Sequence, residues 1–382
     1  MEPKEPGDRR ITRRDFLKAG LLSGGATAVA ATLAPGRTHA GHEHGLPLAA
    51  QSTPTPQPGM DHGDDESHGG MGTVGRVDNA RNGFDPQTLL RDWDFGTVST
   101  LPNGQTLREY SIVAVNKEIE VAPGVFFPGW VYNGRVPGPT LRCVEGDRIR
   151  IEFINGSDHP HTIHFHGIHA ASMDGVPGVG PGAIAPGGKT VYEFDAFPFG
   201  CHLYHCHATP LKRHIHKGLY GAFLIDPDPA RHVGEDEASA RARNHLYTES
   251  QAVNEMVMVM NAFDTNFDGD NEVYAVNTVA FAYMNEPIRI RRDQRQRLYL
   301  INLTEFDPIN SMHLHANFFD YYDHGTTLRP THRTIDTIMQ CQAQRGILEF
   351  DFKGFEPGKY MFHAHQSEFV ELGWMGFFEV TA

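Results

Sequence analysis

The sequence has little cysteine, little tryptophan and no extended apolar run. Four cysteines and three tryptophans occur among its 382 residues, and four cysteines are too few for a disulfide scaffold of this size. The apolar run from Ala19 to Leu33 is short and rich in Gly, Ala and Thr, which makes it a poor membrane-spanning helix. We therefore expect neither a disulfide-rich domain nor a membrane anchor.

Positive charge is also scarce. The chain has 33 Lys and Arg against 47 Asp and Glu, a formal net charge of −14. A chain this acidic repels phosphate, so we expect no nucleic acid partner. Glycine (40) and proline (25) are frequent, which favours many strands joined by turns. The length is sufficient for two domains.

The N-terminus predicts export. Residues 12–18 read TRRDFLK, which resembles the twin-arginine export motif, and Thr38-His39-Ala40 offers a cleavage site. We interpret residues 1–40 as a signal peptide that directs the protein to the periplasm or the extracellular space. Residues 41–75 are low in complexity and predict a disordered linker. Its histidines and methionines could bind copper loosely, although a solvated spacer is the favoured interpretation.

The pattern of strands occurs twice. After an irregular lead-in at residues 76–105, alternating apolar and polar residues predict strands in a first domain, 106–230, and in a second, 231–382. The segment 312–316 (MHLHA) echoes 163–167 (IHFHG), and 373–376 (GWMG) echoes 218–221 (GLYG). Two β-sandwich domains of common ancestry explain this repetition.

Histidines recur in four His-x-His pairs. Alternate residues of a strand point to the same face, so each pair sends two imidazoles one way. Eight converging imidazoles suit several copper ions, although imidazole also binds zinc, iron and nickel. The pairs are His164 with His166, His205 with His207, His313 with His315, and His363 with His365.

Cys206 narrows the choice of metal. One thiolate with two histidines and a weak or absent axial ligand is typical of a blue copper site. His161, Cys206 and His214 supply this set, with Leu219 at the axial position. Since leucine cannot ligate, we expect a high reduction potential. Cys206 also lies between two paired histidines, which gives a covalent route from this site to the histidine cluster.

These motifs resemble those of the multicopper oxidases, and specifically of their two-domain, laccase-like members. The resemblance runs from about Leu107 to Ala382 and implies two cupredoxin-like Greek-key β-sandwich domains. It also implies four coppers per chain. Type 1 copper would be held by His161, Cys206 and His214 beside Leu219, type 2 by His164 and His313, and the type 3 pair by His166, His205, His207, His315, His363 and His365.

The resemblance further implies an activity: a small reducing substrate, such as a phenol or a metal ion, loses electrons singly, and O2 is reduced to water. Asp174, in Met-Asp-Gly, matches an acid that serves proton delivery in the family, although a plain turn aspartate is nearly as good an interpretation. The second domain has Asn310 and Ala364 where the first has His161 and Cys206, so type 1 copper is expected in the first domain alone.

The resemblance also implies an oligomeric state, and two alternative functions stay open. In the two-domain family the trinuclear site lies between domain one of one subunit and domain two of the next, which implies a homotrimer. The related copper nitrite reductases share the two-domain plan but lack the His-x-His pairs. A non-catalytic copper-binding or electron-carrier protein is the other alternative.

Several residues are open to simpler interpretations. Cys143 and Cys201 could pair in an oxidising compartment. Residues 264–269 resemble a calcium loop, but Ala275 takes the place of the last ligand, so a solvated turn is favoured. The row of Met256, Met258 and Met260 predicts one face of a sheet. Histidines close to the expected ligands are interpreted as supporting or surface residues: His159, His169, His202 and His216.

Overall fold

Strands dominate the computed structural model, which describes residues 75–234, 236–247 and 252–382. The predicted signal peptide and nearly all of the predicted linker lie outside these residues. The strands form four sheets, which confirms the predicted all-β fold of two cupredoxin-like sandwiches. The boundary between domains near residue 230 stays a prediction.

The first two sheets enclose a core to which both contribute. One sheet has the order β1-β5-β10-β9-β7, and the other has the order β2-β3-β6-β8 with β4 paired to β3. The core contains Ile112, Ile151 and Phe223. The strands are β1 Trp93–Asp94, β2 Thr97–Thr100, β3 Thr106–Ala122, β4 Val125–Tyr132, β5 Thr140–Val144, β6 Arg148–Asn155, β7 His164–Phe165, β8 Lys189–Asp195, β9 Gly200–His205 and β10 Tyr220–Asp226.

The other two sheets repeat this arrangement. Their orders are β12-β11-β14-β19-β16-β17 and β13-β21-β20-β15-β18. The methionine row at 256, 258 and 260 is fully buried in the shared core with Leu298 and Phe362. The strands are β11 Val253–Phe263, β12 Val273–Val276, β13 Ile288–Arg291, β14 Arg295–Asn302, β15 Ile309–Leu314, β16 Phe319–Asp323, β17 His332–Ile335, β18 Thr337–Cys341, β19 Arg345–Phe350, β20 Gly358–His363 and β21 Met375–Thr381.

The helices are short and lie in the connections. The lead-in at 76–105, for which the sequence shows no regular pattern, contains two of them, and its Asp78 and Asp85 cap their N-termini. Within the described residues, no helix is long and apolar enough to span a bilayer. The helices are α1 Asn79–Asn82, α2 Pro86–Leu89, α3 Leu211–His216, α4 Glu237–Arg243, α5 Ala282–Asn285 and α6 Ser367–Glu371.

A buried ion network joins the two sandwiches. Arg142 on β5 has no exposed surface; its guanidinium binds Asp226 on β10 at 2.9 Å and Glu255 on β11 at 2.9 Å. Arg297 on β14 pairs in turn with Glu255 at 3.2 Å and with Glu349 at 2.7 Å. Because β5 and β10 belong to the first sandwich and β11 and β14 to the second, this network ties one to the other.

Cys143 and Cys201 do not form the disulfide that the sequence leaves possible. Both are buried free thiols. Cys143 lies opposite Ile225 of β10, and Cys201 lies opposite the preceding residue, Leu224. Successive residues of a strand face opposite sides of the sheet, so the two thiols belong to different cores. Burial raises the pKa of both.

Candidate metal centres

Three elements bring His161, Cys206 and His214 together. His161 forms an isolated bridge with Ile184, Cys206 follows the last residue of β9, and His214 lies in α3. The Cys206 Sγ atom is 3.2 Å from His214 Nδ1 and 3.8 Å from His161 Nδ1, and the two Nδ1 atoms are 3.1 Å apart. All three residues are buried.

This donor set fits a copper ion. Burial and the neighbouring His214 lower the pKa of His161 to about 3, and burial lowers the pKa of His214 to about 4. Both imidazoles are therefore neutral at physiological pH, which is the form that binds metal. A thiol sulfur with two neutral imidazole nitrogens is the donor set of a blue copper site.

Besides the two imidazoles, the polar groups around the Cys206 sulfur come from Thr162, the Ala208 backbone and the Tyr132 hydroxyl. The Thr162 backbone N–H donates to Sγ at 3.3 Å, and its Oγ1 accepts the His207 N–H at 2.7 Å. Leu219 is fully buried, and its carbonyl oxygen accepts the Cys206 N–H at 2.9 Å. Leu219 thus offers only hydrocarbon beside the predicted metal position.

Trp130 is a neighbour of this site that sequence reasoning missed. Its ring centroid lies 4.8 Å from that of His214 and 5.2 Å from that of His161. Trp130 is 5% exposed, so the indole is a core residue that packs against the two imidazoles. Nothing in the local sequence around 130 distinguishes this tryptophan from an ordinary core residue, because its partners are distant in the chain.

The first four paired histidines form one group. In the β7–β9 ladder His164 lies directly opposite His205, and His166 Nε2 is 2.9 Å from His205 Nε2. The His164 ring lies 5.3 Å from that of His207. Burial and the adjacent His205 lower the pKa of His166 to about 2, and burial lowers that of His205 to about 4. The imidazoles of His166 and His205 too are therefore neutral at physiological pH.

Asp174 contacts this group through His164. Its Oδ1 lies 2.7 Å from His164 Nδ1 and 3.6 Å from His169 Nε2. A carboxylate on one ring nitrogen fixes the tautomer, which directs the other nitrogen toward a metal. The predicted association of Asp174 with the histidine cluster is therefore present in the geometry. His169, interpreted from sequence as a supporting residue, is the second contact of this carboxylate.

The second four paired histidines form a matching group. His313 lies opposite His363 in the β15–β20 ladder, and His315 Nε2 is 2.9 Å from His363 Nε2. The His313 ring lies 5.5 Å from that of His365. His313 Nδ1 is within 2.9 Å of Thr337 Oγ1, which fixes its orientation.

The two groups are separate within one chain. Among the described residues, no cluster with ligand atoms within 4.8 Å of one another combines histidines of both sandwiches. His315 and His365 are exposed, and His313 and His363 are half-buried. Each chain therefore presents two separate sets of four imidazoles.

Comparisons with known proteins identify the family. Two family models, both described as multicopper oxidase, match residues 114–230 and 249–382. A solved structure of a multicopper oxidase is 54% identical, covers 80% of this chain and 100% of its own, and superposes with a TM-score of 0.73. The chain belongs to the multicopper oxidase family. It also has nitrite reductase relatives, as its sequence predicts.

Curated relatives of the chain match over shorter stretches. A copper-containing nitrite reductase of Neisseria meningitidis is 36% identical over 115 residues, which is 30% of this chain and 29% of the relative. A copper resistance protein A homolog of Pseudomonas syringae is 32% identical over 166 residues, 40% of this chain and 28% of the relative. The chain thus spans less than a third of the length of these relatives.

The second sandwich lacks metal-binding side chains at the positions that correspond to His161 and Cys206 of the first. A hydrogen-bonded asparagine and an alanine take their place. Asn310 is buried; its Oδ1 accepts the Trp374 indole N–H at 3.0 Å, and its Nδ2 donates to Thr304 at 2.8 Å. Ala364 replaces the cysteine, and Trp374 stands where the first sandwich has Leu219. These residues leave no soft donor and fill the position with an aromatic ring.

The calcium-like loop is largely satisfied by its own backbone. Asp264 accepts the N–H groups of Asp268 at 3.1 Å and Gly269 at 2.8 Å. Glu272 accepts the Thr265 N–H at 2.6 Å. The oxygens of Asp264, Asp268 and Glu272 lie within 4.8 Å of one another, but these contacts are those of an ordinary turn.

Proposed function

We propose that this protein couples one-electron oxidation of a small reducing substrate to the four-electron reduction of O2 to water. The observation that supports this most strongly is the position of Cys206. It belongs to the trio with His161 and His214, while its neighbours in sequence, His205 and His207, belong to the first group of paired histidines. One tripeptide thus joins two metal-binding constellations by covalent bonds.

The two histidine groups and the trio around Cys206 would bind different copper ions. His161, Cys206 and His214 would hold one type 1 copper, and the eight paired histidines would hold one type 2 and two type 3 coppers. When bound, the copper ions would supply the one-electron chemistry that joins a single-electron donor to a four-electron acceptor. Leu219 keeps an additional ligand away, and Thr162 donates to the sulfur. Asp174 accepts the His164 Nδ1–H at its Oδ1, which fixes the ring, and would serve proton delivery to the histidine cluster.

We propose further that three chains assemble into a ring. The four histidines of each sandwich form an incomplete set, and a head-to-tail contact between sandwiches of neighbouring copies would complete three equal sites. The exposure of His315 and His365 is consistent with a surface that a second copy covers. Light scattering coupled to size-exclusion chromatography should give three times the mass of one chain. A stable monomer that retains O2 reduction would refute this assembly.

We propose that the protein is exported from the cytoplasm, and this proposal depends on the N-terminal residues alone. The twin-arginine motif at 12–18 would direct the folded protein out of the cytoplasm, to the periplasm or beyond. Fractionation of cells that express the full chain, compared with a chain in which Arg13 and Arg14 are lysines, tests this. The exported fraction should disappear in the variant.

The central test is metal content together with O2 consumption. The loaded protein should hold about four coppers per chain, show an intense visible thiolate band, and consume one O2 for every four electrons taken from the donor. Laccase-type phenols, Cu(I), Fe(II) and Mn(II) should each be assayed as donors. Colourless protein that holds zinc would refute the proposal.

Nitrite reduction is the second candidate, because curated relatives include copper-containing nitrite reductases. An anaerobic assay with nitrite and a reduced donor distinguishes nitrite reduction from O2 reduction. Nitric oxide formation without O2 uptake would favour nitrite reduction. The complete set of four His-x-His pairs favours O2 as the acceptor. A protein that cycles between copper oxidation states without consuming O2 or nitrite would be an electron carrier instead.

A further inference from the structure

One buried peptide bond lies between the two metal-binding groups of the first sandwich. It joins Thr162 to Ile163, in the segment that runs from His161 of the trio to His164 of the paired histidines. Thr162 and Ile163 are both fully buried. His161 makes an isolated bridge with Ile184, and β7 begins only at His164. The polar groups of this peptide therefore need hydrogen-bond partners from outside a strand ladder.

Two buried tyrosines of the facing sheet supply these partners. The Tyr132 hydroxyl donates to the Thr162 carbonyl at 2.5 Å. The Ile163 N–H donates to the Tyr192 hydroxyl at 3.1 Å. Tyr132 ends β4 and Tyr192 lies in β8, and both are fully buried. Tyr132 and Tyr192 thus form a tyrosine clamp, which holds the C=O and the N–H of one peptide from across the core.

The clamped peptide carries contacts to both metal-binding groups. The Thr162 N–H donates to the Cys206 sulfur at 3.3 Å, and Thr162 Oγ1 accepts the His207 N–H at 2.7 Å. The Tyr132 hydroxyl is itself one of the polar groups around that sulfur. Hydrogen bonds around a cysteine sulfur help to set the reduction potential of a blue copper site. A shift of Thr162 would therefore change the environment of the sulfur and the position of His207 together.

The second sandwich has aliphatic residues at the positions of the two tyrosines. Val276 ends β12 as Tyr132 ends β4, and each is followed by an asparagine that accepts a backbone N–H of the neighbouring strand. Leu348 in β19 stands where Tyr192 stands in β8, within the matching sequences ILEF and VYEF. Both tyrosines therefore occur in the sandwich that contains Cys206.

A strand ladder holds the corresponding peptide of the second sandwich. This peptide joins Ser311 to Met312 within the six-residue strand β15, where the two residues pair with Met339 and Ile338 of β18. In the first sandwich β7 has two residues, and the tyrosine hydroxyls take the place of such a ladder. A ladder fixes a whole strand, whereas the clamp acts on the single peptide beside the sulfur.

The two phenols are suited to positioning rather than to electron transfer. Burial raises the pKa of Tyr132 well above its usual value and raises the pKa of Tyr192 to about 12. Both therefore stay protonated at physiological pH. A phenol that loses an electron also gives up its proton to a base, and the Tyr132 hydroxyl faces a peptide carbonyl, which is a hydrogen-bond acceptor but a poor base.

We infer that Tyr132 and Tyr192 are positioning residues that fix the 162–163 peptide against the type 1 site and thereby set its reduction potential. The inference rests on the proposed blue copper site and adds two residues to it. Removal of the Tyr132 hydroxyl should let the Thr162 N–H retreat from the sulfur. Because a hydrogen bond at the sulfur weakens its donation to copper and so favours the reduced ion, its loss should favour oxidised copper.

Three conservative variants of the copper-loaded protein test the effect on potential. Tyr132→Phe and Tyr192→Phe each remove one hydroxyl from the clamp. Tyr110→Phe is the matched control, because Tyr110 is buried in the same core and its hydroxyl donates to the Arg142 carbonyl at 2.8 Å. The redox equilibrium with a mediator, followed in the visible thiolate band, should shift toward oxidised copper by roughly two- to tenfold in Tyr132→Phe, the range expected for one hydrogen bond. It should not shift in Tyr110→Phe.

Hydrogen exchange in the metal-free protein tests the clamp without copper. Amide exchange in a fragment that contains Ile163, measured by mass spectrometry, should accelerate roughly two- to tenfold in both clamp variants and stay unchanged in Tyr110→Phe. Unchanged exchange in the clamp variants, or a redox equilibrium in Tyr132→Phe equal to that of the unmodified protein, would overturn the inference. Faster exchange in a protein that never becomes blue with copper would instead overturn the proposed function and leave the clamp intact.

Discussion

The Oδ1 atom of Asp174 lies 2.7 Å from Nδ1 of His164. This contact joins a loop residue to the first of the paired histidines and leaves the opposite ring nitrogen available for metal. It also distinguishes Asp174 from a simple turn residue, which would face solvent alone. Substitution of Asp174 should therefore change metal binding by His164 and, with it, O2 consumption.

Asp174→Asn should reduce O2 consumption by about 10- to 100-fold, the usual cost of losing the partner of a metal-binding histidine. The visible thiolate band should remain, because Cys206 and its ligand partners are untouched. Asp195→Asn, an exposed acid on β8, is the matched control. Unchanged oxygen uptake in Asp174→Asn would show that the carboxylate is structural.

His207→Ala should abolish O2 reduction and leave the blue colour. The imidazole of His207 belongs to the paired group, whereas the sulfur of Cys206 belongs to the trio. Copper content should fall in the same variant, and oxygen electrode traces with visible spectra measure both properties. His332→Ala, which removes an exposed imidazole on β17, should behave like the unmodified protein. Loss of colour in His207→Ala would contradict the division into two constellations.

Leu219→Met should lower the reduction potential of the blue site. A thioether can act as a weak axial ligand, which leucine cannot, and axial ligation tunes the potential of such sites. Methionine has nearly the volume of leucine, so the change should cost less than about 1.5 kcal/mol of stability. Leu219→Ile keeps the position apolar and should retain the original potential. Redox titration followed in the visible band compares the three proteins.

Acid should destabilise the protein through the ion network between the sandwiches. Burial alone raises the pKa of Asp226, but Arg142 and a hydrogen bond with His245 outweigh it, so the pKa lies below its usual value. The pKa of Glu349 is lowered in the same way, because Arg297 outweighs the effect of burial. Such groups contribute stability above their unfolded pKa values of about 4, and this contribution is lost as the pH falls through the lower folded values.

Asp226→Asn tests this network directly. It leaves the Arg142 guanidinium buried without one of its two carboxylates, which should cost about 3–5 kcal/mol at neutral pH. The melting temperature, followed by circular dichroism from pH 7 to pH 3, should start lower in the variant and decline less steeply below about pH 4. Parallel curves for the two proteins would show that Asp226 contributes nothing to acid sensitivity.

The sequence predicts the paired histidines well because their chemistry depends on local geometry. A strand places residues i and i+2 on one face whatever else surrounds it, so the sequence alone predicts that His164 pairs with His166 and His313 with His315. The trio of His161, Cys206 and His214 was recognisable from its residue types. The distances within it required the structure.

What the sequence does not predict depends on contacts between distant segments. Helix α3 has six residues, too few for a reliable period of 3.6, although it positions His214. Trp130 and the Arg142 network depend on packing between strands far apart in the chain. Cys143 on β5 and Cys201 on β9 are a possible pair in the sequence, because the sequence does not show that the two thiols lie on opposite faces of the sheet.

The imidazoles of the second sandwich should also bind metal ions other than copper. His315 and His363 hold their Nε2 atoms 2.9 Å apart at the surface, and imidazole binds zinc and nickel as well as copper. A single chain should therefore bind divalent metal ions at these histidines. It should adhere to nickel resin without an added tag, and zinc should occupy the same histidines until copper, which such sites bind more tightly, displaces it.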